Sequence, residues 1–330
     1  MPSLEDLSLP DLLSVIVPVH NEAEGLAQFH SQISKVMVAT GIDYEILYVD
    51  DGSADDSVGL LNAMRDSDDR VALIELSRNF GKEVALSAGL DHARGDAVII
   101  IDADLQDPPE LIPSFIEEWR NGYDVVYGKR IDRRGETRTK ILTAKWFYRT
   151  LNYLSDVEIP EDVGDFRLLS RRAVDALVSL PERHRYMKGL YAWIGFPQKA
   201  IPYVRETREA GESKWTYWRL WNFALEGITS FSDLPLKLAT YLGVATSLAA
   251  FFYGLFLLVR TMIWGNPVPG YPSLIIVVLF LGGVQLIFLG IIGEYLARTY
   301  QESKARALYF VKGYQPAGSE MQQTAEKASS

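Results

Sequence analysis

The chain contains no cysteine. Disulfides, thiolate nucleophiles and Cys-ligated metal centres are therefore excluded. Histidine is nearly as scarce, and the four present, His20, His30, His92 and His184, lack the HExxH-type spacing of a zinc site. Positive charge is in deficit as well: 33 Lys and Arg stand against 43 Asp and Glu, a formal net charge of −10. A general nucleic-acid binder would need the opposite balance to neutralise phosphates. The N-terminus, MPSLEDLSLPDLL, has no basic segment followed by an apolar run, so no secretory signal is expected and the first half should stay in the cytoplasm. No GxGxxG follows the first apolar run; PVHNE takes that place, which disfavours a dinucleotide fold.

What is present is an alternation. Between residues 13 and 127, LSVIVPVH, YEILYVDD, VALIELS, AVIIIDAD and YDVVYGKR are separated by helix-length amphipathic stretches. Near-continuous Val/Ile/Leu strands spaced by helices predict an α/β domain with a mostly parallel sheet covered on both faces. Ligands in such sheets bind beyond the carboxyl ends of the strands. Here those ends carry PVHNE, VDDGS and DADLQD.

The composition changes near residue 234. Leu238 to Val259 and Ser273 to Gly293 hold no ionisable residue, and each is about long enough at ~1.5 Å per residue to cross a ~30 Å hydrocarbon layer. Joined by WGNPVPGYP, they predict a transmembrane hairpin, with a pair of buried core helices as the alternative. Lys237 on one flank and Arg298, Lys304, Arg306 and Lys312 on the other, against Arg260 near the tip, put both ends in the cytoplasm. Gly282, Gly283, Gly290 and Gly293 thin the second span and would suit a homo-oligomer or a tight hairpin. Residues 129–149 form a basic island in which Arg138, Lys145 and Arg149 share one helical face with Asn152, while Ile141, Leu142, Trp146, Phe147, Tyr148, Leu151 and Leu154 cover the rest. This predicts an interfacial helix at the lipid headgroups, or an ordinary surface helix on the sheet. KWTYWRLWNFALEGITSF, rich in Trp and Tyr, should lie at the membrane interface. The expected division is an α/β nucleotide-type core at 1–128, a segment with interfacial helices at 129–233, two spans at 234–300 and a partly disordered cytoplasmic tail at 301–330.

In DADLQD, Asp102 and Asp104 lie two apart beyond a strand and can converge, with Gln106 as a neutral oxygen donor. Adjacent carboxylates repel unless a cation sits between them, and all-oxygen ligands suit Mg²⁺ or Mn²⁺ completed by substrate phosphates. The alternative is a solvated acidic turn capping the helix that starts near Pro108. Asp50 and Asp51 in VDDGS either read a nucleotide or serve a tight turn. Arg167, Arg171 and Arg172 read as ligand contacts or as partners of acids and helix caps, and His92 and His184 as structural.

VIVPVHNE, LYVDDGSADDS, RNFGKEVALSAGLDHARGD, DADLQDPPE and GDFRLLSRR together resemble the GT-A-fold glycosyltransferases of family two, in the branch of dolichol-phosphate mannose synthases. The basic helix, REAGESKW and the hairpin are similar to bacterial polyprenyl-phosphate glucosyltransferases of the GtrB type. The resemblance runs from about Leu13 to Arg306. It implies a GT-A, Rossmann-like domain and an inverting transfer of one hexose from a nucleotide sugar to polyprenyl phosphate, UDP-glucose first, with GDP-mannose, a UDP-aminoarabinose derivative or a silent scaffold as rivals. It places Pro18, His20, Glu22, Asp50, Asp51, Asp102, Ala103, Ser213 and Lys214 at the nucleotide, and Asp102, Asp104 and Gln106 at Mg²⁺ or Mn²⁺. Asp165, Asp104 and Arg205 fall at the catalytic centre, Asp165 as base or orienting group, and Lys129 and Arg130 at the acceptor phosphate. QxxRW, the mark of processive synthases, is missing, which favours single transfer.

Overall fold

The computed structural model describes residues 11–132, 163–183, 185–204, 234–265 and 270–318. Arg205, Ser213, Lys214, His184, most of the basic island and the aromatic segment before the first span lie outside the described residues. The chain divides into two compact units, Met1–Asn152 with Val157–Thr216 and Arg306–Ser330, and Tyr153–Asp156 with Tyr217–Ala305.

In the first unit the elements run β1 (Leu12–Val19), α1 (Ala23–Thr40), β2 (Asp43–Asp50), α2 (Ser57–Ser67), β3 (Val71–Leu76), α3 (Lys82–His92) and β4 (Ala97–Ile100). A short 3₁₀ turn, Pro109–Leu111, then precedes α4 (Ile112–Arg120) and β5 (Val125–Asp132). β6 (Val163–Ser170), α5 (Arg171–Ser179), α6 (Met187–Trp193) and β7 (Gln198–Val204) follow. The apolar alternation read from the sequence builds these elements as expected. In α1, Leu26, Phe29, Ile33 and Met37 recur on one face and are fully buried. Each contributes about 2 kcal/mol of apolar burial. Gly41 ends that helix in the left-handed region, φ 70°, where a Cβ would be strained.

The eight strands order as β7-β5-β6-β4-β1-β2-β3-β8. The last of them, β8, is Val311–Gln315, within the segment expected to be a tail. β1 pairs in parallel with β2 and β4, β2 with β3, and β5 with β7. β6 runs antiparallel to β4 and β5, and β8 antiparallel to β3. The reversal at β6 decides the site, because it brings the start of β6 to the carboxyl end of β4.

The second unit contains α7 (Leu234–Trp264) and α8 (Tyr271–Ser303), both rich in exposed apolar side chains such as Phe251, Phe252, Leu279 and Phe280. Ala239–Trp264 and Val277–Ser303 are long and apolar enough to cross a membrane. A Cβ added at Gly282, Gly283, Gly290 or Gly293 would meet no atom of the described residues within 4 Å.

Candidate active site

Three loops at the carboxyl ends of β1, β2 and β3 are tied together by backbone amides. Asn21, at φ 57°, donates its amide to Ser53 Oγ at 3.0 Å and accepts from Ala54 N at 2.8 Å through Oδ1. Gly52 adopts φ 68°, and a Cβ there would fall 2.5 Å from the Arg78 carbonyl carbon and Asn79 N. Only glycine fits that approach. Asp51 accepts from Phe80 N at 2.7 Å and Gly81 N at 2.8 Å, fixing the loop that opens α3. Burial raises the Asp51 pKa above the usual carboxylate range, against those two amides. Asp50 accepts from Gly52 N and Ser53 N, both at 3.2 Å. Asp50 thus serves its own tight turn, one of the two readings, whereas Asp51 ties that turn to the loop ahead of α3. His20 is exposed and lies 2.9 Å from Asn79 Nδ2 through Nε2. Glu22 donates its amide to Ser57 Oγ at 3.1 Å, and Pro18 sits in β1 opposite Val49.

The second wall is the DADLQD turn. Leu105 stands at φ 56°, an uncommon conformation for a branched side chain, and Asp104 Oδ1 accepts from Gln106 N at 3.1 Å. Ala103 is buried in the core. Gln106 is buried, and its Nε2 has no hydrogen-bond partner. Asp107, 1% exposed, accepts from the Tyr203 hydroxyl and lies 3.6 Å from Arg130. Arg130 also donates Nε to Tyr203 at 3.1 Å, so this expected acceptor-phosphate cation is part of a network beneath the turn. Lys129, next to it on β5, is exposed.

Between the walls the ladder sets the geometry. Ile100 stands opposite Arg167 in the β4–β6 register, so two residues further on Asp102 comes opposite Asp165. The group between them is one that sequence reading missed. Lys82, first residue of α3, places Nζ 2.6 Å from Asp102 and 2.5 Å from Asp165. Burial works against the Lys82 charge, but Asp165 and Asp102 outweigh it and hold the ammonium well above the usual lysine range. Burial likewise opposes the Asp165 charge, yet Lys82 and Lys188 hold that carboxyl well below its usual range. Asp102 is pushed upward by burial despite Lys82, with Asp165 adding to the rise. Asp165 is thus the more acidic member of the pair. Asp165 Oδ1 is buried and has no hydrogen-bond partner among the described residues.

Behind this bridge lie further charges. Glu83 accepts from Met187 N at 3.2 Å, and burial together with Asp165 pushes its carboxyl up to about 7. Burial lowers the Lys188 amine. Arg167 donates to Gly164 O at 2.8 Å and stacks 3.5 Å over the Tyr191 ring. Arg171 donates to Ala93 O and Gly95 O, and Arg172 pairs with Asp124. These arginines serve as partners of acids and carbonyls, the second of their two readings. Asp102 and Asp165 meet across Lys82, whereas the pair expected to converge was Asp102 with Asp104, which is held in the turn two residues on. Among the described residues, no three His, Asp or Glu side chains converge to form a metal cage on their own.

The glycosyl transferase family 2 model matches residues 14–178, and a model described as the GtrB C-terminal hairpin matches residues 234–299. The chain belongs to glycosyl transferase family 2. Over 300 residues, 91% of this chain and 98% of the relative, it is 49% identical to the bactoprenol glucosyl transferase of Shigella phage SfV. A prophage bactoprenol glucosyl transferase homolog of Escherichia coli K12 is 48% identical over the same shares of both chains. An uncharacterized glycosyltransferase of Synechocystis is 52% identical across 91% of this chain and 94% of its own. Among solved structures, a mannosyltransferase from Pyrobaculum calidifontis in complex with GDP-Man and Mn²⁺ aligns with TM-score 0.46 and 17% identity, covering 91% of this chain and 86% of that one. The family 2 match spans all the loops described above, from the turn after β1 to the start of β6 and beyond.

Proposed function

We propose that this chain transfers one glucose from UDP-glucose to polyprenyl phosphate at the cytoplasmic membrane face, with inversion at the anomeric carbon. One observation carries the reading: Asp102 and Asp165 meet across Lys82 at the carboxyl end of the sheet, in a chain similar along 91% of its length to bactoprenol glucosyl transferases. The chemistry asks little of a base. A lipid phosphate monoester is already anionic near neutral pH, so its oxygen can form the new bond to the anomeric carbon while the bond to the diphosphate oxygen breaks and UDP leaves. No proton has to be moved from the nucleophile. The protein's work is to hold two anions together and orient the sugar.

Asp102 and Asp104 offer hard oxygen ligands, and the Lys82 ammonium marks the position beside Asp102 as one that attracts a cation. Two carboxylates suit a Mg²⁺ or Mn²⁺ ion that takes its remaining ligands from diphosphate and water. Such an ion, when bound, would neutralise charge on the leaving diphosphate. Ionised Asp165 orients the sugar, and its low pKa supports that role over the role of a base. His20, Pro18 and Glu22 line the nucleotide side and Lys129 the acceptor side, and the family resemblance assigns the diphosphate to Arg205, Ser213 and Lys214. The return of the chain to the sheet unit as β8 supports both ends of the hairpin lying on one side of the membrane, and the basic flanks Lys237, Arg298, Lys304, Arg306 and Lys312 support the cytoplasmic side.

Purified full-length protein should convert radiolabelled UDP-glucose and a short polyprenyl phosphate into a labelled β-linked lipid, and chelator should suppress the product. Preference for GDP-mannose would overturn the donor assignment, and an α-linked product would overturn inversion. Absence of lipid product with any donor would overturn the function.

A further inference from the structure

We infer that Lys82 is a positioning residue for Asp165: its ammonium clamps one carboxylate oxygen, so that the other is presented in a fixed place to a hydroxyl of the transferred sugar. This rests on the glucosyl-transfer reading above and adds to it a residue that acts through another. Three observations converge on it. Lys82 Nζ reaches Asp165 Oδ2 at 2.5 Å and Asp102 at 2.6 Å, joining strands that meet only through the β4–β6 register. Asp165 Oδ1 is left buried with no hydrogen-bond partner among the described residues. A buried acceptor without a partner is costly, and a ligand hydroxyl would remove that cost.

Lys82 is also badly placed for its own helix. It is the first residue of α3, where the helix dipole disfavours a cation. The position is nevertheless rigidly built, since Asp51 holds the Phe80 and Gly81 amides that immediately precede it. On the other side, Glu83 is fixed to the Met187 amide. The loop, the helix start and α6 therefore aim this one ammonium at two carboxylates. A lysine there for helix stability alone would be the wrong residue at the wrong end.

The test is a double-mutant cycle on the full-length chain in detergent, measuring steady-state transfer from UDP-glucose to polyprenyl phosphate. Lys82→Met is expected to lower kcat roughly 100-fold while donor KM stays within about threefold, the signature of lost positioning. In an Asp165→Asn background the same substitution should change kcat by no more than about twofold, because its target is already gone. Lys82→Arg should restore about tenfold of the loss. Should Lys82→Met not fold, the Lys82→Arg cycle decides alone: about a tenfold drop beside Asp165 and none beside Asn at that position. Equal factors in both backgrounds, or a rise in donor KM with kcat unchanged, would overturn the inference. An inactive wild-type chain removes the functional reading and this inference together, whereas an active wild type with equal factors removes the inference alone.

Discussion

Glu83 and Asp165 share the same neighbouring ammonium groups, Lys82 and Lys188, yet their proton affinities move in opposite directions. Asp165 touches Lys82 directly and stays ionised; Glu83 accepts a backbone amide, and burial with the Asp165 charge lifts it from 4.5 to about 7. A carboxyl whose folded pKa exceeds its unfolded value binds its proton more tightly in the folded chain. The stability it supplies is complete below about pH 4.5 and is lost as pH rises through about 7. Glu83→Gln keeps an acceptor for the Met187 amide and removes the titration. The variant should melt at the same temperature as wild type at pH 4 and higher at pH 8, where the difference reaches up to about 3 kcal/mol. Equal melting temperatures at pH 8 would count against the shift. At this scale the sequence exposed the acids through DADLQD and GDFRLL but hid the bases. Lys82 sits in RNFGKEVAL, ahead of a helix whose next turns bury Ala85, Leu86, Ala88 and Leu90. Its partners lie 20 and 83 residues away. The available signal was a cation at a helix N-terminus, an exception to dipole preference that periodicity does not weigh.

At the scale of elements, the strands with continuous apolar runs were legible because both faces of the sheet are covered. β8 was not. VKGYQ is short, polar and largely exposed, and follows an apolar hairpin, so nothing in its pattern marks a strand. It becomes one because β3 would otherwise end the sheet with unpaired amides. The strap is reinforced by Lys312 on Glu75 at 3.0 Å, Tyr309 on Asp91 at 2.7 Å, and Gly318 N on Asp69 O at 2.7 Å. His92 packs edge-on to Tyr314 with ring centres 4.9 Å apart, which is the structural duty expected of it. Removing the chain after Lys304 strips several hydrogen bonds worth about 1 kcal/mol each. A loss of roughly 3 kcal/mol should lower the melting temperature of the sheet unit by about 6–12 °C, and the bared β3 edge should raise aggregation. A truncated protein that melts with the full-length chain would show that the strap is ornamental.

At the scale of the molecule, the decisive feature is that one sheet receives chain from both sides of an apolar hairpin. β1 to β7 precede α7, and β8 follows α8. Helices of 31 and 33 residues are about 46–50 Å long, more than a ~30 Å hydrocarbon layer requires. If both cross, the turn at Gly270 lies on the face opposite the sheet, and no strand can reach β3 unless Lys304 returns to the starting side. The absence of native cysteine makes this directly measurable, because any thiol introduced is the only one in the chain. Gly270→Cys should react with a membrane-impermeant maleimide in intact cells. Lys35→Cys, exposed on α1, and Lys304→Cys, just beyond α8, should react only after permeabilisation. Reaction of Lys304→Cys from outside would mean that the hairpin crosses an odd number of times, and the β3–β8 pairing could not then form in the membrane-bound protein. The same labelling separates a spanning hairpin from one lying on the surface, for which all three thiols would share one accessibility.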